Sequence, residues 1–314
     1  MTRFASVAVA CVLLALTILF FRPVYPSGEL GLCLPSPNSW MIPYPFSGVA
    51  GAILLFAAAY VVAYSNKLHN FIPGSHGVLP SALLLLVATN CLSTAFLSTS
   101  TLLLLVNVLC LLIAISTYEA RNATREFFII ASLLSIGSMI QSAFIVYVGA
   151  YILAGIALKS FRAKEFLAYI FGLAAPYWVA VGLGLVSPFS FHLPESLGII
   201  DTRAVQTDVF YTLIAVGAMG VLGVIMMLYV GVLLFSRNSR LRCMHITFNI
   251  IGLITVLAIV FDFDNFMAYF GTLALWMAIE LSALASFYNY RRPRLMVLIL
   301  LLLFLPLYVL QIVS

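Results

Sequence analysis

Long apolar stretches recur along the chain and are separated by short polar segments. A membrane-spanning helix needs about 20 predominantly apolar residues, and eleven stretches come close to that length. Their approximate bounds are 4–21, 46–64, 80–97, 101–118, 127–140, 142–158, 166–186, 208–234, 245–261, 265–287 and 295–313. The pattern predicts an all-α fold: a polytopic transmembrane helical bundle of about 11 spans, forming one transmembrane domain over residues 1–314.

The segment 127–158 has two interpretations: one tilted helix with a break, or a short hairpin that turns near Gln141 and Ser142. The basic residues favour the hairpin. If the N-terminus lies inside and this segment crosses twice, 13 of the 15 Lys and Arg fall in inner segments, and only Arg22 and Arg203 fall outside. Because Lys and Arg accumulate in cytoplasmic loops, we predict an N-terminus inside and a C-terminus outside.

The composition agrees with a membrane protein. Hydrophobic residues make up 64% of the chain and charged residues only 8%, whereas soluble domains carry roughly 25% charged residues. The net charge of +5 is explained by the inner loops and does not predict nucleic-acid binding. The expected partners are membrane lipids, with other membrane proteins or a lipid-linked substrate as further candidates. Two inner arginine clusters could bind anionic lipid head groups: Arg237/Arg240/Arg242 and Arg291/Arg292/Arg294.

Sequence motifs identify no cofactor. The five cysteines form no pair with metal-ligand spacing, and no phosphate loop, nucleophile elbow or H-E-x-x-H motif is present. The cofactor is therefore unassigned. Arg3 and the apolar run after it are typical of a signal sequence, but no small-x-small cleavage site follows, so we predict a retained first helix.

Glu280 is the candidate that lies deepest in a predicted span. It is seven residues from the inner end of the tenth span, which is roughly 10 Å at 1.5 Å per residue. A carboxyl group at that depth is costly unless it faces a cavity, finds a partner or stays protonated. The preceding span begins with His245 and Asn249, which are one turn apart, and either could meet Glu280. Two interpretations stay open: the coupling site of a transporter or flippase, or a hydrogen-bonded neutral acid that joins two helices.

The outer face carries a second set of candidates in two long loops and one short turn. Loop 22–45 contains six prolines, and loop 187–207 contains Pro194-Glu195, which is typical of the first turn of a short interfacial helix. In the enzyme interpretation, Glu29, Asp262 and Asp264 are catalytic, and the two aspartates also bind a metal. Arg22, His192, Arg203 and Glu280 would then contact the substrate.

Each outer candidate also has a structural interpretation. Asp264 can cap the helix that follows it, where a carboxylate suits the positive end of the helix dipole. The remaining charges can simply be solvated loop residues. A separate polar pair, Asn90 and Asn107, lies symmetrically about the turn at Ser98. We expect these two side chains to lie at the same depth and, if the rotation of the helices allows, to face each other, which would be a packing contact.

Two motifs in the middle of the chain carry a family resemblance. They are the 122–128 segment NATREFF before a serine-rich span, and Arg162-Ala-Lys164-Glu165 followed by Gly172 and Pro176-Tyr177. They resemble an uncharacterised family of Bacteroidota inner-membrane proteins, sometimes mislabelled beta-carotene monooxygenase. The resemblance implies a multi-pass protein of a bacterial inner membrane and brings no catalytic residues. An oxygenase would need an iron site, and the four histidines fall in different loops on both sides: His69, His76, His192 and His245.

The chain also resembles the polytopic glycosyltransferases that use polyprenyl-linked sugars. Those proteins start inside and follow the first helix with a structured outer loop that bears an acidic residue. Here Glu29 is the acid of that loop, where the family usually has an aspartate, often paired. Three functions therefore stay open: a cell-envelope enzyme acting on a lipid-linked substrate at the outer face, a transporter or flippase using Glu280, and a non-catalytic subunit of an envelope assembly complex.

Overall fold

The computed structural model describes residues 3–21, 33–35, 37, 42–43, 46–73, 78–186, 207–234, 238–287 and 292–313. Across these ranges the chain is helical and contains no β-strand. A 3₁₀ turn, Phe263–Asn265, precedes the eleventh α-helix. The helices are α1 (Arg3–Phe20), α2 (Phe46–His69), α3 (Val78–Ala88), α4 (Cys91–Thr94), α5 (Thr99–Ser116), α6 (Thr124–Ile140), α7 (Phe144–Ala157), α8 (Ala163–Gly182), α9 (Thr207–Leu234), α10 (Ser239–Phe261), α11 (Phe266–Phe287) and α12 (Arg292–Val313).

Six of the described helices are long and apolar enough to cross a membrane, namely α2, α5, α8, α9, α10 and α11. Shorter apolar helices lie within α1, α3, α7 and α12. The predicted all-α membrane fold is therefore confirmed. The count of eleven spans and the inside position of the N-terminus stay predictions.

The segment 127–158 forms two helices, so the hairpin interpretation is the correct one. α6 and α7 run antiparallel, since Gly137 near the end of α6 lies against the Phe144 ring at the start of α7. At the other end of the pair, a Cβ on Gly155 would lie 2.6 Å from the Phe127 ring. Glycine at these two positions lets aromatic rings fill the space between the helices.

Side-chain contacts show which helix ends lie together at each end of the bundle. At one end, Leu97 N–H donates to Ser47 Oγ (2.8 Å), and Gln141 Nε2 donates to Asn265 Oδ1 (2.9 Å). All eight Lys and Arg residues with described side chains lie at the other end, which we call the basic end. They are Lys67, Arg121, Arg125, Lys159, Arg162, Lys164, Arg240 and Arg242.

α11 lies at the centre of the bundle. Within its span 83% of residues are buried, against 22% for α8 and 28% for α9. It packs against α3, α5, α9, α10 and α12. α3 is also enclosed, because every residue from Leu79 to Leu86 except Pro80 is buried. α8 and α9 instead present large apolar side chains at the periphery, as expected for helices that face lipid.

Asn90 and Asn107 form no hydrogen bond with each other in the described structure, and each has a different partner. The predicted third span is interrupted after Ala88, and Asn90 caps the short helix α4 by accepting the Ser93 N–H (3.2 Å). Asn107 instead donates to Thr272 Oγ1 (3.0 Å). The interruption changes the rotation of the chain between the two asparagines, so symmetry about the turn does not bring them together.

α6 and α8 pack closely through small residues. A Cβ on Gly172 would lie 2.5 Å from the Phe128 carbonyl oxygen. Ser132 and Ser135 of α6 donate hydrogen bonds to the backbone carbonyls of Gly172 (3.2 Å) and Leu173 (2.7 Å) in α8. Small residues at such a contact let helices approach in lipid, where packing and hydrogen bonds replace the hydrophobic driving force.

Candidate functional site

The interface between α10 and α11 carries paired polar side chains along its length. The two helices run in opposite directions because only residues 262–265 separate them. From the basic end outward, His245 meets Glu280 and Asn249 meets Trp276. Farther along, the two helices bring Thr255 and Thr272 to a shared cluster, and the carboxylate of Asp262 meets Tyr269. A polar stripe therefore runs along the most enclosed helix of the bundle.

Glu280 is fully buried, with 0% of its surface exposed, and His245 is 3% exposed. His245 Nδ1 lies 3.8 Å from Glu280 Oε1. That distance exceeds the roughly 2.7–3.2 Å of an N–H···O hydrogen bond. Accordingly, both carboxyl oxygens and His245 Nδ1 are buried without a hydrogen-bond partner among the described residues. The sequence named two candidates for meeting Glu280, and the structure brings His245 to it.

Asn249, the other candidate, pairs one turn farther along. Its Oδ1 accepts a hydrogen bond from the indole N–H of Trp276 (3.2 Å). The Trp276 ring is 2% exposed and lies between α9 and α10. A Cβ on Gly223 would lie 2.6 Å from the six-membered ring of the indole, and a Cβ on Gly252 would lie closer still to the bond that the two indole rings share. The two glycines therefore create the space that the indole fills.

A small cavity adjoins His245 at the basic end. Its volume is about 30 Å³, and its lining includes Ile72, Pro73, His245 and Ser286. A site needs about 10–15 Å³ by this kind of measure to hold one water molecule. The cavity can therefore hold one or two waters, and it touches the imidazole that lies beside Glu280.

A hydrogen-bonded cluster lies beyond Trp276, toward the opposite end. Tyr147 of α7 shares a hydrogen bond with Thr255 (2.9 Å), and its hydroxyl also interacts with Thr272. Asn107 donates to Thr272, and Tyr151 OH donates to the Asn107 carbonyl oxygen (3.0 Å). All five side chains are buried. Four helices, α5, α7, α10 and α11, are joined by these contacts.

Asp262 lies at the opposite end, in the turn between α10 and α11. Tyr269 OH donates to its Oδ2 (2.7 Å), and Asn265 Nδ2 lies within hydrogen-bond distance of both carboxylate oxygens (3.0 and 3.2 Å). These contacts hold the turn together. The side chain of Asp264, the other predicted metal ligand, lies outside the described part. Among the residues searched, no three His, Cys, Asp or Glu groups come together in a metal-binding arrangement.

Four predicted site residues lie outside the described residues: Arg22, Glu29, His192 and Arg203. The enzyme interpretation depends on those positions together with Asp262 and Asp264, and it stays a prediction. The described site residues, Glu280 and Asp262, lie at opposite ends of α11 and do not form one site.

Buried carboxyl groups in this chain have two kinds of environment. Glu165 at the start of α8 is 1% exposed, and its Oε1 accepts the Ala123 N–H (3.3 Å) just before α6. Glu165 therefore supplies an acceptor to a helix N-terminus that has no side-chain cap of its own. The other carboxyl oxygen of Glu165, Oε2, is buried without a hydrogen-bond partner among the described residues, whereas Glu280 lacks a partner at both of its oxygens.

Sequence reasoning missed Tyr147, Tyr151, Thr255, Thr272 and Trp276. A signal was present, since Tyr269, Thr272, Trp276 and Glu280 recur every three or four residues and so fall on one face of a helix. Thr and aromatic residues are common in apolar helices, so their spacing becomes informative only beside Glu280. No protein-family model matches the chain, and neither a curated protein nor a solved structure matches it.

Proposed function

We propose that the chain is a proton-coupled transporter or flippase of a bacterial inner membrane, and that Glu280 is its coupling site. In this proposal the chain crosses the membrane eleven times, with the basic end in the cytoplasm. The single observation that carries the proposal is the environment of Glu280. Its carboxyl group is fully buried, both oxygens lack hydrogen-bond partners in the described part of the chain, and an imidazole lies 3.8 Å away.

An unpartnered buried polar group lowers stability, typically by about 1–3 kcal/mol. Ionisable groups inside a membrane bundle are rare for this reason, and they commonly mark ion or proton pathways. A carboxyl group without fixed donors can gain or lose a proton without breaking a hydrogen bond of the fold. The neighbouring His245 offers a second protonatable group at 3.8 Å, so a proton can be shared by the pair.

The interrupted third span also supports a transporter. Helices that are broken at membrane depth occur where the free backbone is buried in protein or lines a cavity, and transporters use them near their sites. α3 ends at Ala88, α4 begins at Cys91, and α3 packs against both α11 and α12. The coupling residue and the interrupted span therefore belong to neighbouring helices in the middle of the bundle.

The test is proton movement into reconstituted vesicles. The purified protein is placed in phosphatidylethanolamine–phosphatidylglycerol vesicles that contain pyranine, and valinomycin with a potassium gradient imposes a membrane potential. Internal pH is followed alone and after adding sugars, amino acids, organic acids or nucleosides to the outside. We expect the wild type to acidify the vesicles with at least one solute class, and Glu280→Gln to lose this acidification.

Glu165→Gln is the matched control, because it replaces a buried acid that has a structural hydrogen bond. It retains an oxygen acceptor, so we expect its traces to follow the wild type. The proposal is overturned if Glu280→Gln acidifies as the wild type does. It is also overturned if the wild type never exceeds protein-free vesicles with any solute class.

A further inference from the structure

The Glu280–His245 pair has different surroundings on its two sides along the bundle axis. Toward the basic end, His245 lines the cavity of about 30 Å³ together with Ser286 and the turn after α2. Toward the opposite end, the next turn of α11 carries Trp276, whose ring is 2% exposed. A mainly apolar cavity that includes His245 and Ser286 therefore adjoins the imidazole of the pair on one side, and a packed aromatic ring covers the pair on the other.

Trp276 closes the interface because of its two glycine neighbours. A Cβ on Gly223 would be 2.6 Å from the indole, and Gly252 is closer still. These contacts pack the ring tightly between α9 and α10. The Thr272–Tyr147 cluster lies on the far side of this ring and has its own hydrogen bonds.

The charged groups near the pair also favour the basic end. α10 contributes Arg240 and Arg242 one turn before His245, while α2 ends with Lys67 and His69. Arg240 is close enough to His69 to interact with it electrostatically. The other helices that pack on α11 add no acid or base with a described side chain near the pair. Among the described side chains, α3 has no titratable residue, α5 has Cys110, and α9 has Tyr211 and Tyr229. α12 has Tyr308, which lies at the opposite end.

We infer that the Glu280–His245 pair exchanges its proton with the basic end through the cavity beside His245, and that Trp276 is the barrier toward the opposite end. This inference rests on the proposed function and assigns a direction to the coupling site. His245 acts as the residue that passes the proton between the cavity and Glu280. The structure is then a state that is open to protons at the basic end and closed at the other.

Thiol accessibility tests the cavity without any transport measurement. In a background where the five native cysteines are replaced, Ser286→Cys is exposed to a membrane-impermeant methanethiosulfonate from either side of membrane vesicles. Lys159→Cys defines the basic end, because the Lys159 side chain is 58% exposed there. Ser282→Cys, one turn away on α11 and 0% exposed, is the buried control.

We expect Ser286→Cys to react from the side that modifies Lys159→Cys and not from the other side, and Ser282→Cys to stay unmodified. Reaction of Ser286→Cys from the opposite side, or from neither side, overturns the access route. Because this readout involves no proton flux, it stands apart from the Glu280→Gln experiment. Normal flux in Glu280→Gln with one-sided labelling of Ser286→Cys would refute the proposed function and leave the access geometry in place.

Removing the barrier tests the second half of the inference. Trp276→Ala is expected to acidify pyranine vesicles without added solute, and the double variant with Glu280→Gln is expected to lose this leak. Trp178→Ala is the matched control, because Trp178 is 82% exposed at the periphery of α8. Trp276→Phe retains a ring and should leak less than Trp276→Ala. Elution of Trp276→Ala in detergent at the volume of the wild type shows that the variant is folded. If such a protein shows no leak, or if the leak persists in the double variant with Glu280→Gln, Trp276 is not the barrier.

Discussion

Replacement of Glu280 by methionine is expected to stabilise the protein. Both carboxyl oxygens are buried without partners among the described residues, and relieving such groups with an apolar side chain of similar shape recovers about 1–3 kcal/mol. Methionine is suitable because it has a similar length and a flexible thioether that adapts to its surroundings. We therefore expect the free energy of unfolding to rise by about 1–3 kcal/mol while proton movement is lost.

The sign of this change depends on the protonation of the pair. If Glu280 and His245 formed a buried ion pair, removing one partner would leave an isolated charge and lower stability by about 3–5 kcal/mol. The separation of 3.8 Å between Nδ1 and Oε1 lies beyond hydrogen-bond distance, so the expected gain in stability is worked out for a pair that carries no charge. The two arrangements thus predict changes of opposite sign.

Equilibrium unfolding in mixed micelles of rising SDS content measures the change. Glu165→Met is the control, because it removes the acceptor of the Ala123 N–H and should lower stability by about 1–3 kcal/mol. A fall in stability for Glu280→Met, comparable to that of Glu165→Met, would show that Glu280 has a structural partner. The lack of a partner for Glu280, on which the coupling role rests, would then be refuted.

Two further substitutions test the packing of the bundle. Gly172→Ala places a Cβ 2.5 Å from the Phe128 carbonyl oxygen and should lower the free energy of unfolding by about 1–3 kcal/mol. Gly182→Ala is the control and should be neutral, because no atom lies within 4 Å of its added Cβ. Equal effects of the two substitutions would contradict close α6–α8 packing. Tyr269→Phe removes the hydroxyl that donates to Asp262 and should cost about 0.6 kcal/mol, as interhelical polar contacts in membranes do; an unchanged SDS midpoint would show that this contact adds nothing to the turn.

The sequence predicted the helical membrane fold well, because the length of apolar runs depends on bilayer thickness more than on tertiary contacts. The α6–α7 hairpin followed from the placement of basic residues on one side. The proximity of His245 and Glu280 followed from antiparallel neighbours of known rise per residue. Each of these inferences needs only local geometry.

Other features required information that the hydrophobic pattern does not contain. The apolar run 80–97 hides the interruption at Thr89 and Asn90, although Asn90 followed three residues later by Ser93 fits a helix cap. The positions of Asn107 and Tyr151 depend on the rotation of each helix about its axis. Hydrophobicity on all sides of these helices leaves that rotation undetermined until the packed structure is known.

The interruption between α3 and α4 has a consequence for how the chain is made. The amide of Cys91, the first residue of α4, donates to Gln311 Oε1 (2.9 Å), a residue 220 positions later in the chain. Exposed backbone amides are not tolerated in hydrocarbon. Until α12 has entered the membrane, this amide therefore needs a hydrogen-bond acceptor other than Gln311. The centre of the described bundle therefore contains a contact that forms only after α12 has entered the membrane.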